Sequence, residues 1–298
     1  MDISLIGVPI MYGCDRQGAQ YGPDKLRQKG IVELIKKYKN KVYDLGNLHI
    51  PYVSEIDKFA FHDKIKYLKA VAEINTNLAH WVFSALSSGS FPIIIGGDHS
   101  LGLGSISGSS RFHKELGVIW IDAHGDINTP ETSPSSNAHG MPLGAALGVG
   151  EESLVNLYFD GPKVKAENTF IIGARDLDEG EVKLAEKLKI NLYTMDTIKK
   201  RGLESILEEV IDKINNSNID GIHLSFDIDV MDKRLVPGTG TPVENGFNLE
   251  EAKIILKDIL ETKMVKSMDL VELNPLLDEN DATSDLFIEL VDHIFKYL

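Results

Sequence analysis

The chain has 298 residues, 43% of them hydrophobic and 26% charged, with one cysteine and a net charge of −14 when histidine is neutral. This is the composition of a folded soluble protein, and its acidic balance lacks the basic footprint that nucleic acid or an anionic membrane surface requires. No apolar run reaches the roughly 18–20 residues of a membrane span, and Cys14, being alone, can form no intrachain disulfide and suits a reducing cytoplasm as a bystander thiol.

The opening MDISLIGVPI has no basic region before its apolar stretch and no small-residue cleavage site, so it reads as a first strand over 2–8. A helix follows over 23–39, with Pro23 suited to its first turn, then a strand over 41–45 and a long helix over 62–88. Strand 91–96, helix 101–115 and strand 117–122 come next. The segment 127–150, INTPETSPSSNAHGMPLGAALGVG, is rich in Ser, Pro, Gly and Thr and too polar at its start for a core. Loops that follow parallel strands line the ligand crevice at the strands' carboxyl ends, which makes this segment a candidate for holding substrate. Strand 168–173, helix 179–188, strand 190–194, helix 202–217 and strand 221–228 continue the alternation. Helix 248–261 opens on a capping box of Asn248 and Glu251, and strand 264–271 and helix 281–297 close the pattern. The strands are hydrophobic almost throughout, as parallel strands covered on both faces are. Such alternation implies βαβ units and one parallel sheet of about eight strands between helical layers, an α/β fold. No linker, charge block or internal repeat interrupts it, so residues 1–298 are expected to form a single domain.

Three strand ends carry acids and histidines together. FPIIIGGDHS puts Asp98 and His99 past one strand, GVIWIDAHGD puts Asp122, His124 and Asp126 at the end of another, and HLSFDID puts Asp227 and Asp229 at a third. Alternate residues of an extended chain face one side, so D-x-H-x-D and D-x-D each project their ligating groups together. Two histidines and several aspartates converging at one sheet edge would be unbalanced buried charge without a cation. Six ligands are too many for one ion with an open position but suit two ions that share carboxylates. Oxygen-rich sites that include imidazole suit Mn²⁺, and the lack of cysteine ligands argues against structural zinc. A pair of ions can bring the pKa of a shared water from 15.7 toward roughly 7 and so supply hydroxide at neutral pH. Gly102-Leu103-Gly104 lacks a third glycine in register and is no dinucleotide site. The other histidines, 49, 62, 80, 113, 223 and 293, have no partner spacing and read mostly as surface or satisfied core residues.

With GGDHS (96–100), DAHGDINTPETSPSSNAHGMPL (122–143), IIGARDLDEGE (171–181), SFDID (225–229), PGTGTP (237–242) and MDLVELNP (268–275), the sequence resembles the ureohydrolase family, which includes arginase, agmatinase and formimidoylglutamase. The resemblance runs from Gly7 through Pro275. It implies a three-layer αβα sandwich with an eight-stranded parallel sheet, two Mn²⁺ per subunit and assembly as a homotrimer or homohexamer. It also implies one ion held by His99, Asp122, Asp126 and Asp227 and another held by His124, Asp122, Asp227 and Asp229, with Asp122 and Asp227 bridging. Asp126 would orient a metal-bridging hydroxide, Glu272 would bind the guanidinium, and His139 would shuttle a proton to the leaving amine. Thr241 falls where the family has a Thr near the departing group.

The loop 128–139 follows the arginase pattern, bacterial arginase in particular. The resemblance therefore implies hydrolysis of L-arginine to L-ornithine and urea, with Asn128, Ser133 and Ser135 on the substrate carboxylate, Asn137 supporting it through water, and Asp178 and Glu181 on the α-amino group. Two positions depart from the family: Ser136 stands for the usual glycine before the Asn and is expected to alter the loop's turn, and Asn245 stands for glycine in VENGF with little effect expected. Asp269 is expected to be structural. Other readings are agmatinase or another guanidino or formimino ureohydrolase, or a non-catalytic metal-stabilised subunit that binds arginine. A deacetylase on a related fold would need a one-metal Asp/His/Asp site, which the second His and the D-x-D disfavour.

Overall fold

The computed structural model describes residues 1–39 and 41–298. Eight strands form one parallel sheet: β1 (Asp2–Val8), β2 (Val42–Asn47), β3 (Ser90–Gly96), β4 (Leu116–Ile121), β5 (Thr169–Ile172), β6 (Asn191–Tyr193), β7 (Gly221–Asp227) and β8 (Val265–Val271). Their order across the sheet is β2-β1-β3-β8-β7-β4-β5-β6, and every pairing is parallel. All eight expected strands are present, within two residues at each end.

The helices are α1 (Gly22–Gln28), α2 (Ile31–Lys36), α3 (Leu68–Ser87), α4 (Gly102–Phe112), α5 (Pro142–Ala146), α6 (Glu152–Val155), α7 (Glu179–Leu188), α8 (Met195–Arg201), α9 (Leu203–Asn215), α10 (Leu249–Glu261) and α11 (Ala282–Tyr297). The expected capping box opens α10: Asn248 Oδ1 accepts from the Glu251 amide at 3.0 Å, and Glu251 accepts from the Asn248 amide at 2.8 Å. Three expectations change. The helix expected over 23–39 breaks into α1 and α2 because Gly30 lies between them at φ 84°. The helix expected from 62 begins only at Leu68, after Tyr67 in the left-handed region at φ 53°. Helix α8 was not anticipated, although its start is legible: Thr194 Oγ1 accepts from the Thr197 amide at 3.2 Å, and Gly202 at φ 87° ends it.

The continuous hydrophobicity of the strands follows from having a core on each face. On β4, Ile119 and Ile121 face one core with side chains of α1, α2 and α9–α11, and Val118 and Trp120 face the other with α3 and α4. Each strand thus keeps the period of two but is apolar in both phases. The two outermost strands differ in character. β2 leaves Tyr43, Asp44 and Leu45 exposed, whereas β3, β4 and β7 are wholly buried. The candidate metal ligands stand at or past the ends of β3, β4 and β7, Glu272 follows β8, and Asp178 and Glu181 follow β5. Among the described residues, no helix is long and apolar enough to cross a membrane.

Candidate metal centre and active site

The Gly-Gly before Asp98 has a steric reason. The chain past β3 runs against the segment after β1, with the Gly97 amide bonded to Val8 O and the Asp98 amide to Ile10 O, and a Cβ on Gly97 would collide with the Ile10 carbonyl. Asp98 is fully buried and is no member of the acid–histidine cluster. Its carboxylate accepts from the amides of Gly13 at 2.8 Å and Ser100 at 3.1 Å, and so starts the turn that presents His99.

His99 Nδ1 lies 2.9 Å from Asp122 Oδ2, 3.0 Å from Asp227 Oδ2 and 3.3 Å from Asp126 Oδ2, yet it makes no hydrogen bond of good geometry. A buried imidazole nitrogen facing three carboxylates in this way suits a shared cation. A second convergence pairs His124 Nδ1 with Asp122 Oδ1 at 3.3 Å and Asp229 Oδ2 at 3.2 Å. Two compact ligand groups result, His99–Asp122–Asp227 and Asp122–His124–Asp229, with Asp122 common to both. The donor set of nitrogen and oxygen without sulfur fits two divalent ions. Asp227, expected to bridge as well, stands in the first group, and its Oδ1 accepts the Asp229 amide at 2.8 Å. Asp126 stands at the margin of the first group.

The route to this convergence differs from the strand alternation inferred from spacing. β4 ends at Ile121, so Asp122, His124 and Asp126 lie beyond it in a turn where Asp122 Oδ1 accepts the His124 amide at 2.7 Å. Asp126 adopts φ 53° and Glu272 φ 65°, left-handed conformations that non-glycine residues keep only where the surroundings fix them.

The electrostatics follow from burial. Desolvation opposes charging His99, but Asp122 and Asp227 beside it prevail and hold its pKa well above the usual value. His124 is likewise raised, by Asp229 and Asp122 against burial. Burial and then the neighbouring aspartates push Asp227 and Asp126 well above the carboxylate range, whereas for Asp122 the two histidines outweigh burial and hold it low. In the ion-free protein, protons thus balance the charge that two cations would otherwise balance.

Side chains not foreseen from sequence support the cluster. Ser225 Oγ pairs with His99 Nε2 at 2.7 Å. Trp120 Nε1 donates to Asp122 Oδ2 at 2.9 Å. The Arg175 guanidinium donates to the carbonyls of Asp229, Val230, Met231, Val243 and Glu244, tying the segment after β7 to VENGF. Asp269 and His223 form a buried pair at 2.9 Å, with Ser267 on His223 Nδ1, while Asp269 Oδ1 has no hydrogen-bond partner.

A cavity of about 270 Å³ opens over the cluster, and its walls include all seven expected substrate residues: Asn128, Ser133, Ser135, Asn137, Asp178, Glu181 and Thr241. His139 lines it too, with Nδ1 3.4 Å from Glu272 Oε1. Glu272 is buried; its Oε1 accepts the His99 amide at 2.8 Å and its Oε2 makes no hydrogen bond. Ser133 and Ser135 each accept a backbone amide of their own loop through Oγ, from Ser136 at 3.1 Å and Asn137 at 3.2 Å, so their hydroxyl protons remain to donate. Asn128 Nδ2 donates to Asp178 Oδ2 at 2.8 Å. Thr241 Oγ1 donates to Asp229 Oδ2 at 2.9 Å.

Two of these residues also hold the loop. Both Glu181 oxygens are taken, by the amides of Ile127 at 3.1 Å and Asp178 at 3.0 Å, so it holds the loop onto the start of α7. Burial pushes its pKa up to about 7. Asn137 has both amide ends occupied, Oδ1 by Lys66 Nζ at 2.9 Å and Nδ2 by Cys14 O at 3.0 Å. Ser136 adopts φ 60° and Asn245 φ 63°, the left-handed backbone that glycine would favour at both departures. Cys14 is buried, and desolvation followed by Asp98 and Glu272 pushes its thiol pKa far up, which makes it inert.

A fold of eight parallel strands in which β3, β4 and β7 end in a shared His/Asp cluster has known counterparts. The family model described as "Arginase family" matches residues 1–296. Arginase from Brevibacillus brevis is 41% identical over 99% of this chain and 97% of its own. The crystal structure of arginase from Bacillus cereus superposes with a TM-score of 0.92 at 40% identity, over 99% of this chain and 98% of its own. That of Entamoeba histolytica arginase, in complex with L-ornithine, gives 0.91 at 31% identity, over 99% and 97%. The chain belongs to the arginase family.

Proposed function

We propose that this protein is a binuclear metal hydrolase that cleaves the guanidino group of L-arginine to L-ornithine and urea, with two Mn²⁺ ions per subunit. The observation that carries this reading is Asp122, whose two carboxylate oxygens each face a different histidine, His99 and His124, at the floor of a cavity of substrate size. Such an arrangement suits two ions, held by His99, Asp122, Asp126 and Asp227 and by Asp122, His124 and Asp229. Two divalent cations there would acidify a shared water toward a pKa of about 7.

The remaining work belongs to side chains. Resonance spreads the guanidinium charge over three nitrogens and makes its carbon a poor electrophile, so position is decisive. Glu272, with one buried oxygen lacking a partner, is suited to fix that cation. Asp126 is suited to accept a proton from the attacking water and hold its orientation. His139, in contact with Glu272, is suited to hand a proton to the leaving amine. The free hydroxyl protons of Ser133 and Ser135, with Asn128, suit a carboxylate, which cannot be buried without donors. Asp178 offers its carboxylate to an ammonium, with Glu181 fixing its position. Support for arginine as substrate comes from the relatives named arginase and from the Entamoeba histolytica protein's complex with L-ornithine. The single cysteine agrees with a cytoplasmic enzyme, and a homotrimer or homohexamer is expected.

The test is urea release from arginine and from agmatine at saturating Mn²⁺, with bound metal measured on the same samples. Arginine should be the better substrate, and Ser135→Ala should raise its KM more than that of agmatine. Two bound ions with no turnover of arginine would defeat the hydrolase reading and favour an arginine-binding subunit.

A further inference from the structure

The cavity that would receive arginine is acidic on most sides. Asp126, Asp176, Asp178, Glu181 and Asp227 contribute to its walls, and no Lys or Arg does. With Asp126 and Asp227 engaged by the ions, Asp176, Asp178 and Glu181 remain as acids of the wall, and an α-carboxylate near them meets like charge that serine and asparagine donors offset only in part. A fixed positive charge stands immediately behind the wall on the loop that carries those donors. Lys66 Nζ donates to Asn137 Oδ1 at 2.9 Å and lies 3.0 Å from Asp15 Oδ2. The Lys66 amide donates to Ser136 O at 3.0 Å. One residue thus fixes two consecutive positions of the substrate loop. Its side chain is 18% exposed, so water screens it incompletely.

A second ammonium shares this segment. Lys58 Nζ lies 3.4 Å from the same Asp15 oxygen and 3.7 Å from Glu55 Oε1, so two ammonium groups meet two carboxylates. Lys58 is also tied to this segment through its carbonyl, which accepts the Tyr67 amide. Glu55 is largely exposed, so water screens it more than Asp15, and Lys66 is the ammonium in contact with the substrate loop, at Asn137.

We propose that Lys66 is a specificity-determining positioning residue, which favours a substrate with an anionic α-carboxylate over its decarboxylated analogue. It acts through Asn137 and by its charge, without touching the reacting atoms. The inference rests on the proposed arginine hydrolysis and names the group that sets tail preference at that site. A plain loop latch would serve both substrates alike, whereas a charge acts only on the one that carries a carboxylate.

The experiment compares wild type, Lys66→Met and Lys66→Arg, all loaded with Mn²⁺. Readouts are kcat and KM for arginine, inhibition constants for L-ornithine and for putrescine, and the thermal midpoint. Lys66→Met should raise the arginine KM and the ornithine constant about five- to tenfold, with kcat within about twofold and putrescine unchanged or tighter. Lys66→Arg should restore ornithine binding to within about twofold. Parallel weakening of ornithine and putrescine, or no change in either, would overturn the proposal, leaving Lys66 as a structural latch. The wild-type arm separates the two readings: inactivity toward arginine refutes the hydrolase assignment and the inference together, whereas an active wild type with matched losses refutes only the role of Lys66. Should Lys66→Met fold poorly, Lys58→Met removes half of the same charge without the bond to Asn137, and a smaller shift selective for ornithine is expected, its absence counting against the charge effect.

Discussion

The indole of Trp120 lies flat on the imidazole of His99, with ring centroids 3.9 Å apart and planes within 6°. The same indole donates Nε1–H to Asp122 at 2.9 Å. One apolar-looking residue thereby fixes the plane of an imidazole and the orientation of the carboxylate shared by both ligand groups. Trp120→Phe keeps most of the buried surface and removes the donor. Metal affinity should fall about 10- to 100-fold, as when other orienting partners of metal ligands are lost. Calorimetric titration of Mn²⁺ into chelator-treated protein measures it, and unchanged affinity would show that the hydrogen bond is dispensable.

Replacing Asp126 by Asn preserves shape but removes the carboxylate suited to take a proton from water. A kcat lower by about 10² or more is expected, with ornithine binding little changed. His139→Asn should also lower kcat, with metal content intact by elemental analysis. An Asp126→Asn enzyme with wild-type kcat would take that residue out of the mechanism.

Ser136 holds φ 60° without being glycine. A side chain in that region is strained, whereas glycine accepts it freely but loses more entropy on folding. The first effect is the larger, so Ser136→Gly should stabilise the protein by about 0.5–1 kcal/mol. Denaturant melts of the two proteins check the sign, and a lower midpoint for the glycine variant would contradict it.

His99 and His124 hold protons well above the usual histidine pKa in the ion-free protein. Their raised values mean that protonation stabilises the ion-free fold fully below the ordinary histidine pKa, and that this contribution fades as pH rises through the raised values. Cations must expel those protons to bind. Metal affinity should therefore fall as pH drops, by about tenfold per pH unit for each proton expelled. Titrations in buffers of different ionisation enthalpy count the protons released. A heat independent of the buffer would mean that the histidines are already neutral.

Much of this was legible in residue order because periodicity and strand-end chemistry are local. The eight strands declared themselves as short apolar runs, and the acids and histidines stood in their final turns. The supporting residues were not legible for a different reason. Lys66 and Asn137 are 71 positions apart, His99 and Ser225 are 126 apart, and a tryptophan within GVIWID reads as core whichever way its N–H points. Local spacing also misled about means: the D-x-H-x-D group converges through a turn and a left-handed Asp126, not through strand alternation. Resemblance alone puts Glu181 on the substrate's α-amino group, and spacing gives no sign that its oxygens also accept two backbone amides.

The clustered acids and imidazoles come from the ends of β3, β4 and β7; β4 and β7 are neighbours in the sheet although distant along the chain, and β8 stands between β7 and β3. During synthesis, β3 and β4 emerge long before β7, so Asp122 must wait for more than a hundred further residues before Asp229 can face His124. A nascent chain halted in between would carry half a cage and could seat neither cation as the finished one does. Ion capture thus reports completed topology, and a ribosome-bound fragment ending before Asp227 should remain blind to manganese.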